Sequence, residues 1–185
     1  MPISENGWEL LISRHRVQHS GAQSRTYGTY RTFRDGNEIA GLSGWVCETI
    51  GPGDNQQADN GKRIEAGGYP LHTHFGDLYR SVGYSTDLQT PGSSPMPGLR
   101  LEGTGQRYDI LIHPARPSTL YLSSVGCLNL TGPLADSEAM DFWDSRARVI
   151  ALIESLRGFA PGAFAATENT RIPDAWVVVE GEPHD

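Results

Sequence analysis

His113 and Cys127 are the residues of this sequence whose types and spacing could do covalent chemistry. His113 closes the apolar run Ile110-Leu111-Ile112, and Cys127 follows fourteen residues later in Ser124-Val125-Gly126-Cys127. An imidazole beside a thiol can take its proton and leave a thiolate to attack a carbonyl. For that the two side chains must come within ~3–4.5 Å. A free thiol titrates near ~8.5, and a neighbouring imidazole is expected to bring Cys127 below that value. Gly126 lets the backbone turn tightly before the sulfur. Backbone N–H groups around Ser124 and Gly126 could then hold an oxyanion. The same residues also allow Cys127 to be a small packed hydrophobe, as many free cysteines are.

Other side chains could serve the pair. Arg116 follows the histidine closely and could meet a substrate carboxylate. Ser123 could orient His113 or donate to a carbonyl, though such hydroxyls often only bond turns. Tyr79 could line a groove. His72-Thr73-His74 puts two imidazoles on one face of a strand, because side chains alternate with period two. They could contact substrate, or join His113 in a three-His zinc site, which makes a zinc hydrolase the rival class. No Cys-x-x-Cys spacing supports a metal, and the reading adopted needs neither metal nor dissociable cofactor. Cys47, in Trp45-Val46-Cys47, reads as a core thiol.

These residues need strands to hold them. Trp8–Ile12, Thr26–Phe33 and Glu38–Ile50 read as strands, the last two joined by an Asp35-Gly36-Asn37 turn. His15–Ser24 reads as polar loop and residues 51–61 as surface loop. Arg63–His74 reads as turn plus strand, and Gly76–Gly98, rich in Pro, Gly and Ser, as a lid or exposed loop. Leu99–Glu102 is a short strand, Arg107–His113 a stronger one and Cys127–Leu130 strand-like. Asp136–Arg157 has helical apolar spacing, with Asp136 as N-cap and Gly158 beyond its end. Trp176–Val179 is a last strand. The class is β-rich α+β, with one long packing helix near the C-terminus.

Length and charge exclude more than they assign. The 185 residues suit a single domain, and 37% hydrophobic residues argue against disorder. A net charge of −7 with no long basic run fits neither nucleic acid nor an anionic membrane surface, so neither partner is expected. No apolar run is long enough to span a membrane. The stretch from Met1 to Arg16 carries two acids and no continuous apolar core, so it does not read as a signal peptide, which leaves the protein cytoplasmic unless another route delivers it.

Ile112-His113-Pro114 followed by Ser124-Val125-Gly126-Cys127 resembles the signature of the YkuD-type L,D-transpeptidases. In that family a histidine ending a strand precedes a Ser/Thr-His-Gly-Cys segment, and a peptidoglycan stem peptide acylates the cysteine. A related phage and bacterial family of unknown function is more similar, with Ile-His-x-Gly-Asn, a short loop and Thr-x-Gly-Cys. Cys47-Glu48-Thr49-Ile50 resembles its Cys-x-Thr-Leu strand end. Ile64-Glu65-Ala66-Gly67-Gly68-Tyr69 resembles its Ile-Pro-Ala-Gly-x-Tyr segment. The resemblance spans Cys47 to about Gly132, under half of the chain.

It implies an L,D-transpeptidase-like β-sandwich or barrel over residues 1–185, with Cys127 as nucleophile and His113 as base. It also implies transfer or hydrolysis of an acyl group from a stem peptide. Val125 stands where transpeptidases carry a second histidine, so hydrolysis of the thioester is as compatible as transfer. A wall substrate would require delivery to the wall or periplasm by a secretion machine or phage, with a delivery or immunity partner. A non-catalytic wall-binding or structural module is the remaining alternative.

Overall fold

The structure is a computed structural model that describes residues 3–183. Met1 and Pro2 of the stretch weighed as a leader lie outside the described residues. In chain order the elements are β1 (Trp8–Ser20), β2 (Gln23–Arg34), β3 (Asn37–Glu48), β4 (Gly67–Thr73), β5 (Tyr79–Arg80), β6 (Met96–Pro97), β7 (Leu99–Leu101), β8 (Leu111–Ile112), β9 (Asn129–Thr131), α1 (Phe142–Phe159) and β10 (Arg171–Glu180). Eight strands form one sheet in the order β8-β7-β4-β10-β1-β2-β3-β9, and β5 pairs separately with β6.

The ends of the large sheet nearly meet. Ile112 bridges Leu128 in parallel, just before β9, with His113 N–H donating to the Leu128 carbonyl at 3.1 Å. Leu128 N–H donates to the Leu111 carbonyl at 2.8 Å. The sheet is therefore barrel-like and near-closed, which leaves few unpaired edge groups. Its seam lies between the strand that ends at His113 and the one entered through Cys127.

Alternation builds the core. Trp8, Leu10 and Ile12 on β1 are fully buried, as are Ala175, Val177 and Val179 on the parallel neighbour β10. Val149, Leu152, Ile153 and Leu156 bring one face of α1 into the same cluster. The β2–β3 hairpin turns through Asp35 and Gly36 at φ 49° and 75°, the paired left-handed conformations that match strand twist.

Four expected boundaries moved. His15–Ser24 is not a loop: β1 runs to Ser20, β2 begins at Gln23, and Gly21 turns between them at φ 58°. Its polar residues suit a strand because they alternate in exposure: His15, Arg16 and His19 stay exposed, while buried Gln18 accepts the Arg25 Nε–H at 2.7 Å through its Oε1. The helix starts at Phe142 rather than Asp136, capped by Asp141, which accepts the Asp144 N–H. Residues 135–140 bond elsewhere, with Met140 N–H on the Leu120 carbonyl and Glu138 N–H on the Ala135 carbonyl. Gly158 lies inside the helix, which ends at Phe159 before Pro161. Arg107–His113 keeps only Leu111–Ile112 as strand, because Asp109 adopts φ 52° and breaks the extended run.

Candidate active site

The seam places the two chemical residues by register. Ile112 and Leu128 face the core. Alternation then puts Leu111 and His113 on the opposite face, next to Cys127 and Asn129 of the adjoining segment. Cys127 is thus beside Leu111 and diagonal to His113.

His113 is held tightly. It is 1% exposed. Its Nδ1 lies 2.7 Å from the Pro114 carbonyl, which can only accept, so Nδ1 carries the proton. Asn129 Nδ2 donates to the His113 carbonyl at 2.9 Å and fixes the turn after β8. Ser145 of α1 accepts the Ala115 N–H at 2.9 Å. The Tyr79 ring covers the imidazole at 4.5 Å between centroids, and Arg116 Nε donates to the Tyr79 hydroxyl at 3.1 Å. The lone pair is left on Nε2, which has no partner among the described residues.

The thiol is engaged elsewhere. Sγ accepts the Leu111 N–H at 3.3 Å and turns its own S–H to the Asp109 carbonyl at 3.5 Å. No hydrogen bond joins it directly to His113. Burial pushes the Cys127 thiol above its ordinary value, against the pull of the Leu111 N–H, Arg116 and Arg107. The expected depression is therefore reversed: the protein around the sulfur disfavours its charge more than its donors support it. Burial also pushes His113 down to about 4, aided by Arg116 and opposed by the Pro114 carbonyl. The resting pair is a neutral thiol and a neutral imidazole.

Two adjoining cavities meet at these residues. One, of about 480 Å³, is lined by His74, Tyr79, Asp109, His113, Arg116 and Cys127, with Gly76 to Leu78 on its rim. The other, of about 270 Å³, shares His113, Arg116 and Cys127 and adds Ser123, Ser124 and Val125. The Gly76–Gly98 segment therefore flanks the first cavity, and carries the β5–β6 pair.

The remaining sequence candidates divide. Ser123 accepts the Arg116 N–H at 2.9 Å and donates to the Thr119 carbonyl at 2.7 Å, so its hydroxyl serves the loop. Ser124 donates to the Cys127 carbonyl at 2.7 Å. Gly126 is buried against Arg107. His74 reaches the first cavity, with its Nδ1 buried and unpartnered. His72 lines neither cavity, because it precedes the point where the chain leaves β4 for the rim. Among the described residues no three His, Cys, Asp or Glu side chains are placed to hold a metal ion. Cys47 is fully buried, as expected of a core thiol, and burial pushes it to about 12.

Asn129, Asp109 and Arg107 were missed in the sequence. A lone Asn in the apolar run Leu128-Asn129-Leu130 was a usable signal, since buried amides need partners. Nothing local marks the other two.

Comparison of the chain with protein-family models, curated proteins and solved structures returns no match. No helix among the described residues is long and apolar enough to cross a membrane.

Proposed function

We propose that this protein is a cysteine-dependent enzyme of L,D-transpeptidase-like fold that transfers or hydrolyses acyl groups of peptidoglycan stem peptides, with hydrolysis or mixed activity favoured. The observation that carries the reading is the pair of cavities that share Cys127, His113 and Arg116. A covalent acyl intermediate needs room for a donor on one side of the sulfur and for its acceptor on the other. Arg116 bonds Tyr79 through Nε and has no carboxylate partner among the described residues, so its outer nitrogens suit the free carboxylate of a peptide.

The neutral pair dictates the order of proton movement. Cys127 turns its S–H from the Asp109 carbonyl to His113 Nε2, and the imidazole takes the proton as sulfur attacks the scissile carbonyl. The S–C bond forms, the amide C–N bond breaks, and His113 returns the proton to the leaving amine. Water or a second amine then cleaves the thioester, with His113 again as base. Val125 is 72% exposed and brings no imidazole to the second cavity, which favours water or mixed acceptors.

Incubating disaccharide-tetrapeptide with excess D-amino acid, and following products by mass, tests both levels. Trimming to tripeptide supports hydrolysis. A dominant product carrying the exchanged D-residue would reassign the enzyme as a transferase. No product by either route, with Cys127 intact, points to a non-catalytic wall-binding module.

A further inference from the structure

The turn that delivers Cys127 is held from behind by a guanidinium. Arg107 is 6% exposed and has no carboxylate partner among the described residues. Its Nη1 donates to the Asp54 and Lys62 carbonyls at 3.1 and 2.9 Å, and its Nη2 to the Val125 carbonyl at 3.0 Å. Its own backbone is fixed, with N–H on the Thr104 carbonyl at 3.1 Å and its carbonyl taken by the Thr104 hydroxyl at 2.7 Å. Burying a cation without a carboxylate is expensive for stability, so its three carbonyl bonds must compensate. One of those three lies in the peptide two residues from the nucleophile.

The consequence follows from peptide geometry. The Val125–Gly126 bond is trans. In a trans peptide the carbonyl and the next N–H point to opposite sides. With the Val125 carbonyl fixed on Arg107, the Gly126 N–H is aimed away from Arg107; the residues on either side of Gly126, Val125 and Cys127, line the second cavity. Neither the Gly126 nor the Cys127 N–H donates to any described residue. Ser124 ties the Cys127 carbonyl and removes a second rotation from the turn. Gly126 itself becomes intelligible, since a Cβ there would overlap the Arg107 guanidinium.

We infer that Arg107 is a positioning residue that locks the Val125–Gly126 peptide in the one orientation where its N–H can serve a developing oxyanion on a Cys127-bound acyl group. This rests on Cys127 being an acyl acceptor, but not on the identity of the acyl donor. A peptide free to rotate would have to be reoriented at the moment of attack, whereas a fixed one acts without reorganisation. No sequence motif marks the arrangement, because Arg107 approaches from eighteen residues upstream of Val125.

Two reagents separate the role from a structural one. p-Nitrophenyl acetate acylates a thiol through a tetrahedral oxyanion: the S–C bond forms, p-nitrophenolate leaves and the thiol proton passes to His113. Iodoacetamide alkylates the same sulfur by direct displacement, with iodide leaving and no oxyanion formed. Arg107→Lys keeps the charge but offers its donors from one nitrogen on a shorter side chain, so it cannot replace Nη1 on Asp54 and Lys62 and Nη2 on Val125 together; Arg107→Gln also loses the charge. In Arg107→Lys the acylation rate at Cys127 is expected to fall by at least ~10-fold, with alkylation and its pH profile unchanged. In Arg107→Gln the alkylation profile also moves to higher pH. Parallel loss of both rates in Arg107→Lys, or acylation at the wild-type rate, would overturn the inference. Thermal melting of each variant shows whether a loss in both rates is unfolding. If the wild-type protein is acylated by the ester but leaves stem peptides untouched, the substrate reading fails while Arg107 remains testable.

Discussion

Two sides of the barrel carry the same pair of residue types and use them differently. On the β2–β3 side, Cys47 lies near Arg25, a buried guanidinium that bonds Gln18 and the Tyr121 and Ala135 carbonyls. At the seam, Cys127 lies near Arg107, a buried guanidinium that bonds three carbonyls. Both thiols are pushed up by burial and drawn down by their arginine. The surroundings differ: continuous strand pairing seals Cys47, while the seam leaves Cys127 with two cavities and a fixed imidazole. A cation near a thiol does not make it reactive; access and a base do.

The largest effect that could break this contrast is loss of the proposed nucleophile, Cys127. Cys127→Ala should lower turnover of disaccharide-tetrapeptide by more than ~10⁴-fold, and Cys47→Ala should leave it near wild type. Equal losses in the two variants, with both folded by circular dichroism, would remove the distinction.

His113→Ala should cost ~10²–10⁴ in turnover. In the wild type, Nε2 stays unprotonated until pH approaches about 4, so the acid limb of the rate profile should fall there rather than near 6.5. An acid limb near 6.5 would mean that the imidazole is solvated in the working enzyme.

The same shift affects stability. His113 binds its proton less readily folded than unfolded, so the unfolded chain takes up the extra proton between 6.5 and about 4. Stability from this residue is therefore complete above 6.5 and is lost as pH falls towards 4, by roughly 3 kcal/mol. Urea titrations of wild type and His113→Ala across that window measure it. An identical pH dependence in both would assign the acid loss to other groups, with His72 and His74 shifted in the same direction.

Smaller effects sharpen the picture. Cys47→Ala should destabilise by about 1 kcal/mol through a lost core contact, and Cys47 should resist iodoacetamide until unfolding. Val125→Ser should change stability by less than ~0.5 kcal/mol, because the side chain is largely solvated. A marked gain in stability there would show that the exposed valine strains the turn.

Much of the frame was legible in the residues. Trp8, Leu10 and Ile12 alternate, Asp35-Gly36 has hairpin turn chemistry, and Val149, Ile153 and Leu156 recur at helical spacing. Each is a local signal, since period and turn type depend on near neighbours. Local pattern misjudged the polar end of β1, whose Arg14 and Gln18 are buried only because Glu48 and Arg25 meet them from other strands. It also placed the helix start at Asp136, whose carbonyl is taken by the Tyr121 hydroxyl.

The sequence by itself determined which groups are present: one thiol after a glycine, a histidine ending an apolar run, and an arginine just beyond it. Tertiary structure decided their state. Closure of the sheet through Ile112 and Leu128 set Cys127 diagonal to His113. Packing under Tyr79 made the imidazole neutral, and the Pro114 carbonyl fixed its tautomer. Sequence distance carries none of this, because burial and hydrogen bonding are properties of neighbours that only folding brings together.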